Sequence, residues 1–342
     1  MNKGYATAEA TRAYVSKYQW LERKEEQNHV FNHSPIALGN HLGTFSDEDS
    51  QKYKEAMSYA LLHGINVLDT AINYRGMKSE KDIGEVLQEL ISTGQICRDE
   101  VIVCTKAGLL FGDITAGLRP KDYLEKNLLH KGICMSDFHE YEGLLHTLNP
   151  DFYREAIEIS MGNLGIETID IHYIHIPEIS RAALGEETFY DQMYSLFVCY
   201  EDMVKQGKIR YYGLALEMLC MEPEEEKWTF SLEKLCSMAD EITNGESHFH
   251  FVQLPWNQRY QSAAELKKQI VAGEPCTLLE AIQKLGMEAV GSMPFDFGEG
   301  FVKNTLTDML SFCLGQKEIS WVNCGSKNIV HIREMLDALK KE

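Results

Sequence analysis

Residues 64–87 read GINVLDTAINYRGMKSEKDIGEVL. Gly64 stops the helical pattern before it, and a short apolar run, Val67 and Leu68, ends on an acid, Asp69. Tyr74 follows five positions later, just ahead of an Arg-Gly turn, Arg75–Gly76. From Ser79 onward, apolar residues return at helical spacing. A strand that gives way to a helix through a polar loop is one unit of a parallel β/α arrangement. An acid at the end of a core strand, with a tyrosine just past it, needs a chemical reason.

The same unit repeats on both sides. Ahead of it stand SPIALGN (34–40) as a strand and DEDSQKYKEAMSYALLHG (47–64) as a helix. After it come the strand EVIVCTKAG (100–108), the helix PDFYREAIEISMGNLG (150–165) and the strand ETIDIHYIHIP (167–177). The second half adds strands at IRYYGLALE (209–217), FHFVQLPW (249–256), MEAVGSMPF (287–295) and ISWVNCGS (319–326), each followed by an amphipathic stretch. Eight strand–helix units predict an α/β protein with a closed (β/α)8 TIM barrel. An open doubly wound sheet is the rival, weakened by the absence of G-x-G-x-x-G after the first strand. No linker-like stretch divides the chain, so residues 1–342 are expected to form a single barrel domain. A polar N-terminal extension, 1–33, is expected across the barrel floor, in part as a hairpin. The long insertion 107–149 follows the third strand, which places it on the top face as a lid or binding loop.

Composition narrows the partners. With 52 acidic and 33 basic residues the net charge is -19, which disfavours nucleic acid and anionic membrane. No run approaches the ~20 apolar residues of a membrane span, and the start, MNKGYATAEATRAY, has no apolar signal segment. The nine cysteines form no Cys-x-x-Cys pair and read as small buried hydrophobes in a reducing cytoplasm.

In a barrel, chemistry gathers at the C-terminal ends of the strands. Asp69 ends the second strand, Tyr74 lies in the loop after it, Lys106 ends the third and His175 ends the fourth. Singly, each has a bland explanation: a turn-forming acid, a packed phenol, a solvated lysine, a core histidine. Together on three neighbouring strand tips they describe an acid–base site. A free tyrosine, with a pKa of about 10, is a poor acid, and a nearby cation is expected to lower that value. Lys106 can supply that cation, and Asp69 can pair with it and keep it charged.

These residues also carry a resemblance. The pieces GINVLDTAINYRGMKSEKDIGEVL, VIVCTKAG, LGIETIDIHYIHIPE, GKIRYYGLA and FVQLPWNQ resemble the aldo-keto reductases, in that family's order, over roughly residues 34–335. The resemblance implies a catalytic tetrad of Asp69, Tyr74, Lys106 and His175. It also implies reduction of an aldehyde or ketone to an alcohol, or the reverse. NADP(H) is the expected cofactor, with NAD(H) as the alternative, and a small carbonyl or alcohol is the expected partner. Gln253 matches the position that binds the carboxamide. The loop CGSKN leads into a helix N-terminus, where backbone N–H groups favour phosphate, so Gly325, Ser326 and Lys327 are cofactor candidates.

Several positions depart from the family pattern. Ala215 and Leu216 replace a Ser-Asn pair. Ser292 stands where an aromatic stacks on the nicotinamide, in a loop that continues through Pro294 and Phe295. His331 takes the place of an arginine. Each departure weakens the cofactor site, and a nucleotide-sensing or regulatory binding protein on the same fold is therefore the alternative reading.

A metal-dependent hydrolase is the rival enzyme, since His248 and His250 form an H-x-H pair. They lie at the start of a strand, toward the barrel floor, and read better as a polar strand entry. His172 and His175 point to opposite faces and cannot share one ion. No catalytic metal is expected. His41, Glu178, Phe111 and Phe138 are the residues expected to line the substrate site.

Overall fold

Alternation along each strand decides what the barrel holds inside. Val67 packs in the barrel interior while Leu68 packs outward against the helices, and the two-residue period returns Asp69 to the inside. By the same rule Cys104 and Lys106, and Ile171, Tyr173 and His175, face inward. His172 faces out and pairs with the Tyr200 hydroxyl at 2.7 Å. The computed structural model describes residues 1–18 and 29–340.

Eight parallel strands close the barrel: Ile36–Gly39, Val67–Asp69, Ile102–Ala107, Ile169–His175, Ile209–Ala215, Phe249–Pro255, Glu288–Ser292 and Ile319–Gly325. The first and last strands seal it, with Ile36 opposite Val322 and Gly39 opposite Gly325. Closure leaves the barrel sheet itself without an unpaired edge. The strands stay close where side chains are small: a Cβ on Gly213 would stand 1.9 Å from the carbonyl oxygen of Phe251. Among the described residues no helix is long and apolar enough to cross a membrane.

The helices start and stop where local chemistry directs. Ser46 caps Asp47–Leu62 by accepting from the Asp49 N–H, and Asn149 caps Pro150–Leu164 with proline at the first position. The main core lies between the barrel's outer face and this helical ring. A second apolar cluster fills the barrel itself, and Ala6 and Phe31 close it from below against Phe251 and Trp321.

Ala6 and Phe31, in two described parts of the N-terminal segment, thus lie at the barrel floor. The first of these parts forms a helix, Ala8–Val15, and not a hairpin; residues 19–28 lie outside the described residues. Asp170 ties it down, accepting from the Ala6 N–H at 2.7 Å and from Arg98 at 2.7 Å.

Residues 107–149 hold short helical turns and an antiparallel hairpin, His139–Tyr141 with Leu144–His146. A further hairpin, Gln269–Val271 with Glu274–Cys276, is one the strand–helix rhythm does not predict. Its turn residues, Ala272 and Gly273, both have positive φ, at 52° and 82°. That geometry suits a two-residue hairpin turn, and an Ala-Gly pair is a weak cue for it.

Candidate active site

The strand tips bring the four predicted residues together. Lys106 is 1 % exposed, with its Nζ 2.5 Å from Asp69 Oδ1 and 2.8 Å from the Thr70 carbonyl. Asp69 Oδ2 accepts from Gln253 Nε2 at 2.9 Å. A buried ammonium is costly unless paired and hydrogen-bonded, and here a carboxylate and a carbonyl oxygen both take it. That is the reason for the acid at Asp69. Lys106 Nζ also lies 5.1 Å from the Tyr74 ring centre, and the Tyr74 and His175 rings meet edge to face at 5.8 Å.

The electrostatics differ in one respect from the expectation. Burial pulls the Lys106 pKa down, but Asp69 and Tyr74 overcome this and hold it above the usual lysine value, so it is charged. For Tyr74, burial pushes the pKa up and Lys106 opposes that only in part, so the net shift is upward, not downward. Desolvation outweighs the cation before substrate charge develops. Tyr74 is therefore a protonated donor at neutral pH. His175 is held well below the ordinary histidine value, first by burial and then by Lys106, His41 and His146. It is a neutral imidazole, able to donate one hydrogen bond.

The loop that carries Tyr74 is strained and clamped. Arg75 and Met77 sit at positive φ, 46° and 68°, a conformation that costs of order 1–3 kcal/mol per residue. Arg75 holds it: its guanidinium donates to the buried side chains of Asp82 at 2.6 Å and Ser50 at 2.9 Å, and to the Thr44 carbonyl at 2.8 Å nearer the surface. The sequence reading took Arg75 as part of a turn and missed this positioning role. The cue was Asp82, seven residues on and one turn into the next helix.

The cavity with Tyr74 and His175, of about 250 Å3, is walled by Leu109, Leu144, Ala215, Leu216, Glu217 and Phe297. His41 stacks on Tyr74 at 4.4 Å, as a mouth residue should. Phe111 borders an adjoining cavity of about 400 Å3 with Tyr74. Phe138 instead packs edge-on to Phe152 under the insertion.

Glu178 is a correction: it is fully buried and outside the cavity. It accepts from the N–H groups of Glu217 (2.7 Å) and Leu219 (3.3 Å), and burial pushes its carboxyl up to about 7. Helix formation from Glu178 turns its side chain under the neighbouring loop. The acid that reaches the cavity is Glu217, carried there by the loop that Glu178 braces.

A second groove runs from the same mouth. A cavity of about 270 Å3 is lined by Asp69, Tyr74, Gln253, Ser292, Pro294, Phe295, Asn323 and Gly325. It shares Leu42 and Gly325 with a cavity of about 630 Å3 lined by Ser326, Lys327, Asn328 and His331. Each sequence-predicted cofactor residue lines one or the other of these two adjoining cavities, which together form a trough. Asn323 Nδ2 is buried there with no hydrogen-bond partner, an orphaned donor facing the first cavity. Lys327 is partly exposed and ion-paired. Its Nζ is 2.5 Å from Asp49, whose carboxyl it holds well below the usual range. The trough's length, its orphan donor and the helix N-terminus at Ile329 suit a dinucleotide with its phosphates at the last strand.

Comparison with known proteins agrees with the geometry. The profile of the Aldo/keto reductase family matches residues 36–305. Over 179 residues the chain is 26% identical to an NADH-specific methylglyoxal reductase of Escherichia coli K12, covering 52% of this chain and 45% of that protein. The chain spans about half the length of the curated relatives it matches. Among solved structures, aldo-keto reductase AKR11C1 from Bacillus halodurans, in its holo form, superposes with a TM-score of 0.61 at 18% identity, over 93% of this chain and 91% of that one. An aldo/keto reductase from Klebsiella pneumoniae in complex with NADP and acetate gives 0.57 at 16% identity, over 91% and 87%. At those identities the superpositions speak for the fold alone. The family match spans most of the barrel that carries the tetrad, and on that ground the chain belongs to the aldo/keto reductase family.

Proposed function

We propose that this chain, as one barrel unit, is an NAD(P)H-dependent oxidoreductase that interconverts a small aldehyde or ketone and its alcohol. One observation carries the reading: Tyr74 and His175 share a single cavity, with the Lys106–Asp69 pair buried beneath them. Bound nicotinamide supplies or accepts the hydride. In the reductive direction His175, neutral, donates a hydrogen bond to the carbonyl oxygen and fixes its position. As negative charge grows on that oxygen, Tyr74 transfers its phenolic proton to it. Lys106 stabilises the tyrosinate left behind, and Asp69 keeps Lys106 charged and in place. Gln253, Ser292, Pro294 and Phe295 wall the nicotinamide end of the trough; Gly325, Ser326, Lys327 and His331 receive the phosphates. The names of the relatives fit this assignment, one as an NADH-specific reductase and one as an NADP complex.

The binding-protein reading draws on Ala215 and Leu216, which offer no side-chain hydrogen bond to the cofactor end of the cavity. Titration with NADPH and NADH, read by quenching of tryptophan fluorescence, separates the readings when paired with turnover of a carbonyl panel. Micromolar binding with turnover is the expected result. Binding without turnover favours the sensor, and no binding of either nucleotide removes both. Lys327→Ala is expected to weaken NADPH by about tenfold or more, the loss of one charge-assisted hydrogen bond of ~1.5–3 kcal/mol, and to leave NADH nearly unchanged. Equal weakening of both would place Lys327 away from the 2′-phosphate.

Glu217 points to the substrate class. It is the carboxylate among the cavity's lining residues, and its charge is felt by Tyr74. A carbonyl compound with a cationic group a few atoms from the carbonyl places that cation against Glu217. Glu217→Gln is expected to cut kcat/KM for such a substrate by about tenfold, ~1.4 kcal/mol. A neutral aldehyde of the same size should change little. A matching fall for both substrates would show that Glu217 supports the loop and selects nothing.

A further inference from the structure

The floor of the barrel, at the opposite pole from Tyr74, holds a second cluster of chemistry-bearing side chains. His29 and His33 lie on the segment that enters the first barrel strand, and Glu288 opens the seventh. We propose that His29, His33 and Glu288 form a binding site for one divalent transition-metal ion of the zinc class, which clips the N-terminal segment to the barrel.

One nitrogen from each imidazole and one Glu288 oxygen lie within 4.8 Å of one another. Ligands around a tetrahedral zinc, at bonds of about 2.0–2.1 Å, stand roughly 3.3 Å apart. Side-chain rotation of about an ångström closes the difference.

The tautomers favour a metal. His33 Nδ1 lies 3.0 Å from the Ser34 carbonyl, which only accepts, so Nδ1 carries the proton and Nε2 presents a lone pair. His29 Nδ1 lies 2.8 Å from Glu288 Oε2, close to the spacing of two ligands on one ion, so an ion between them takes the Nδ1 lone pair and leaves the proton on Nε2. His33, whose other ring nitrogen donates to a carbonyl, is in the usual state of a metal-bound histidine.

Glu288 is held in a fixed orientation. It accepts from the Val30 N–H at 2.8 Å and from Ser320 Oγ at 3.1 Å. His250 Nε2, 3.7 Å from Glu288 Oε1, stands ready as a further donor. Two imidazoles and one carboxylate suit zinc and its neighbours better than magnesium or calcium, which prefer all-oxygen sets.

The site joins two parts of the chain far apart in sequence, so bound metal stabilises the folded state by mass action. It lies away from the tetrad and requires no change in turnover. His33 packs on Trp321 at 4.8 Å between ring centres, which gives an optical reporter.

The test uses the full chain, stripped with chelator and titrated with zinc chloride by calorimetry, with thermal melts alongside. Cobalt(II) is then added for its visible absorption. Expected are one equivalent bound, a rise in Tm, and intense cobalt bands of a low-coordinate site. His29→Ala, at the most accessible of the three ligands, should weaken binding by about ten- to a hundredfold. It should melt in metal-free buffer close to the parent and keep the parent's turnover. Failure to take up zinc would overturn the site. Uptake unchanged in His29→Ala would do so too, because it would place the ion elsewhere. Neither outcome touches the reductase reading, which stands on the other pole.

Discussion

Tyr74→Phe is expected to abolish most carbonyl reduction while leaving nucleotide binding intact. The substitution removes one oxygen from a side chain whose ring still packs against His41 and His175. The fold and the trough should survive, so the loss falls on proton transfer. General acid catalysis contributes about 10²–10⁴-fold, and kcat should fall within that range. The pH profile is a second readout. A general acid works while it holds its proton. Burial places the Tyr74 pKa above its ordinary value, so reduction should stay level through neutral pH and decline only above about 10. Alcohol oxidation, which needs the tyrosinate, should climb with pH across the same range. Steady-state kinetics in both directions check this. A variant that keeps parental kcat would remove Tyr74 from the mechanism.

Asp69→Asn should cost stability as well as activity. It leaves Lys106, 1 % exposed, with an uncompensated charge, since the amide oxygen can accept a hydrogen bond but carries no negative charge. Breaking a buried pair by removing one partner costs about 3–5 kcal/mol, and denaturant melts should show a loss of that order. Lys106 would also tend to lose its proton, so kcat should fall together with stability. The double variant Asp69→Asn with Lys106→Met separates the two effects. Removal of both charges should restore much of the stability and none of the activity. If the single and double variants were equally unstable, the pair would not be the source of the cost.

How much of this was legible beforehand varies from residue to residue, for physical reasons. The barrel strands were readable because each is a short apolar run with a period of two, followed by a helical period. Eight such units have one closed solution. Asp69, Lys106 and His175 were readable because strand tips in that architecture converge. The hairpin at 269–276 was not, because its strands are three residues each and its turn uses alanine at positive φ.

Side-chain direction at loops and helix starts was beyond the sequence. Glu178 lies three residues past His175 and looked like a cavity residue. Helix formation turned it inward, and Glu217 from another loop took the place. Arg75 appeared as a turn former, but tertiary packing brought Thr44, Ser50 and Asp82 around it. Lys327 was legible as a candidate in the last loop, but only folding set it beside Asp49, far away in the chain. The clustering of His29, His33 and Glu288 is of the same kind, since barrel closure alone joins them.

The sequence by itself determined the closed barrel and that the tips of three neighbouring strands bring Asp69, Lys106 and His175 together. Both follow from local periodicity and from a topology with few alternatives. Only the tertiary structure decided the sign of the Tyr74 shift. That sign is the balance between desolvation by the whole surround and one nearby cation, and no spacing along a chain encodes that balance.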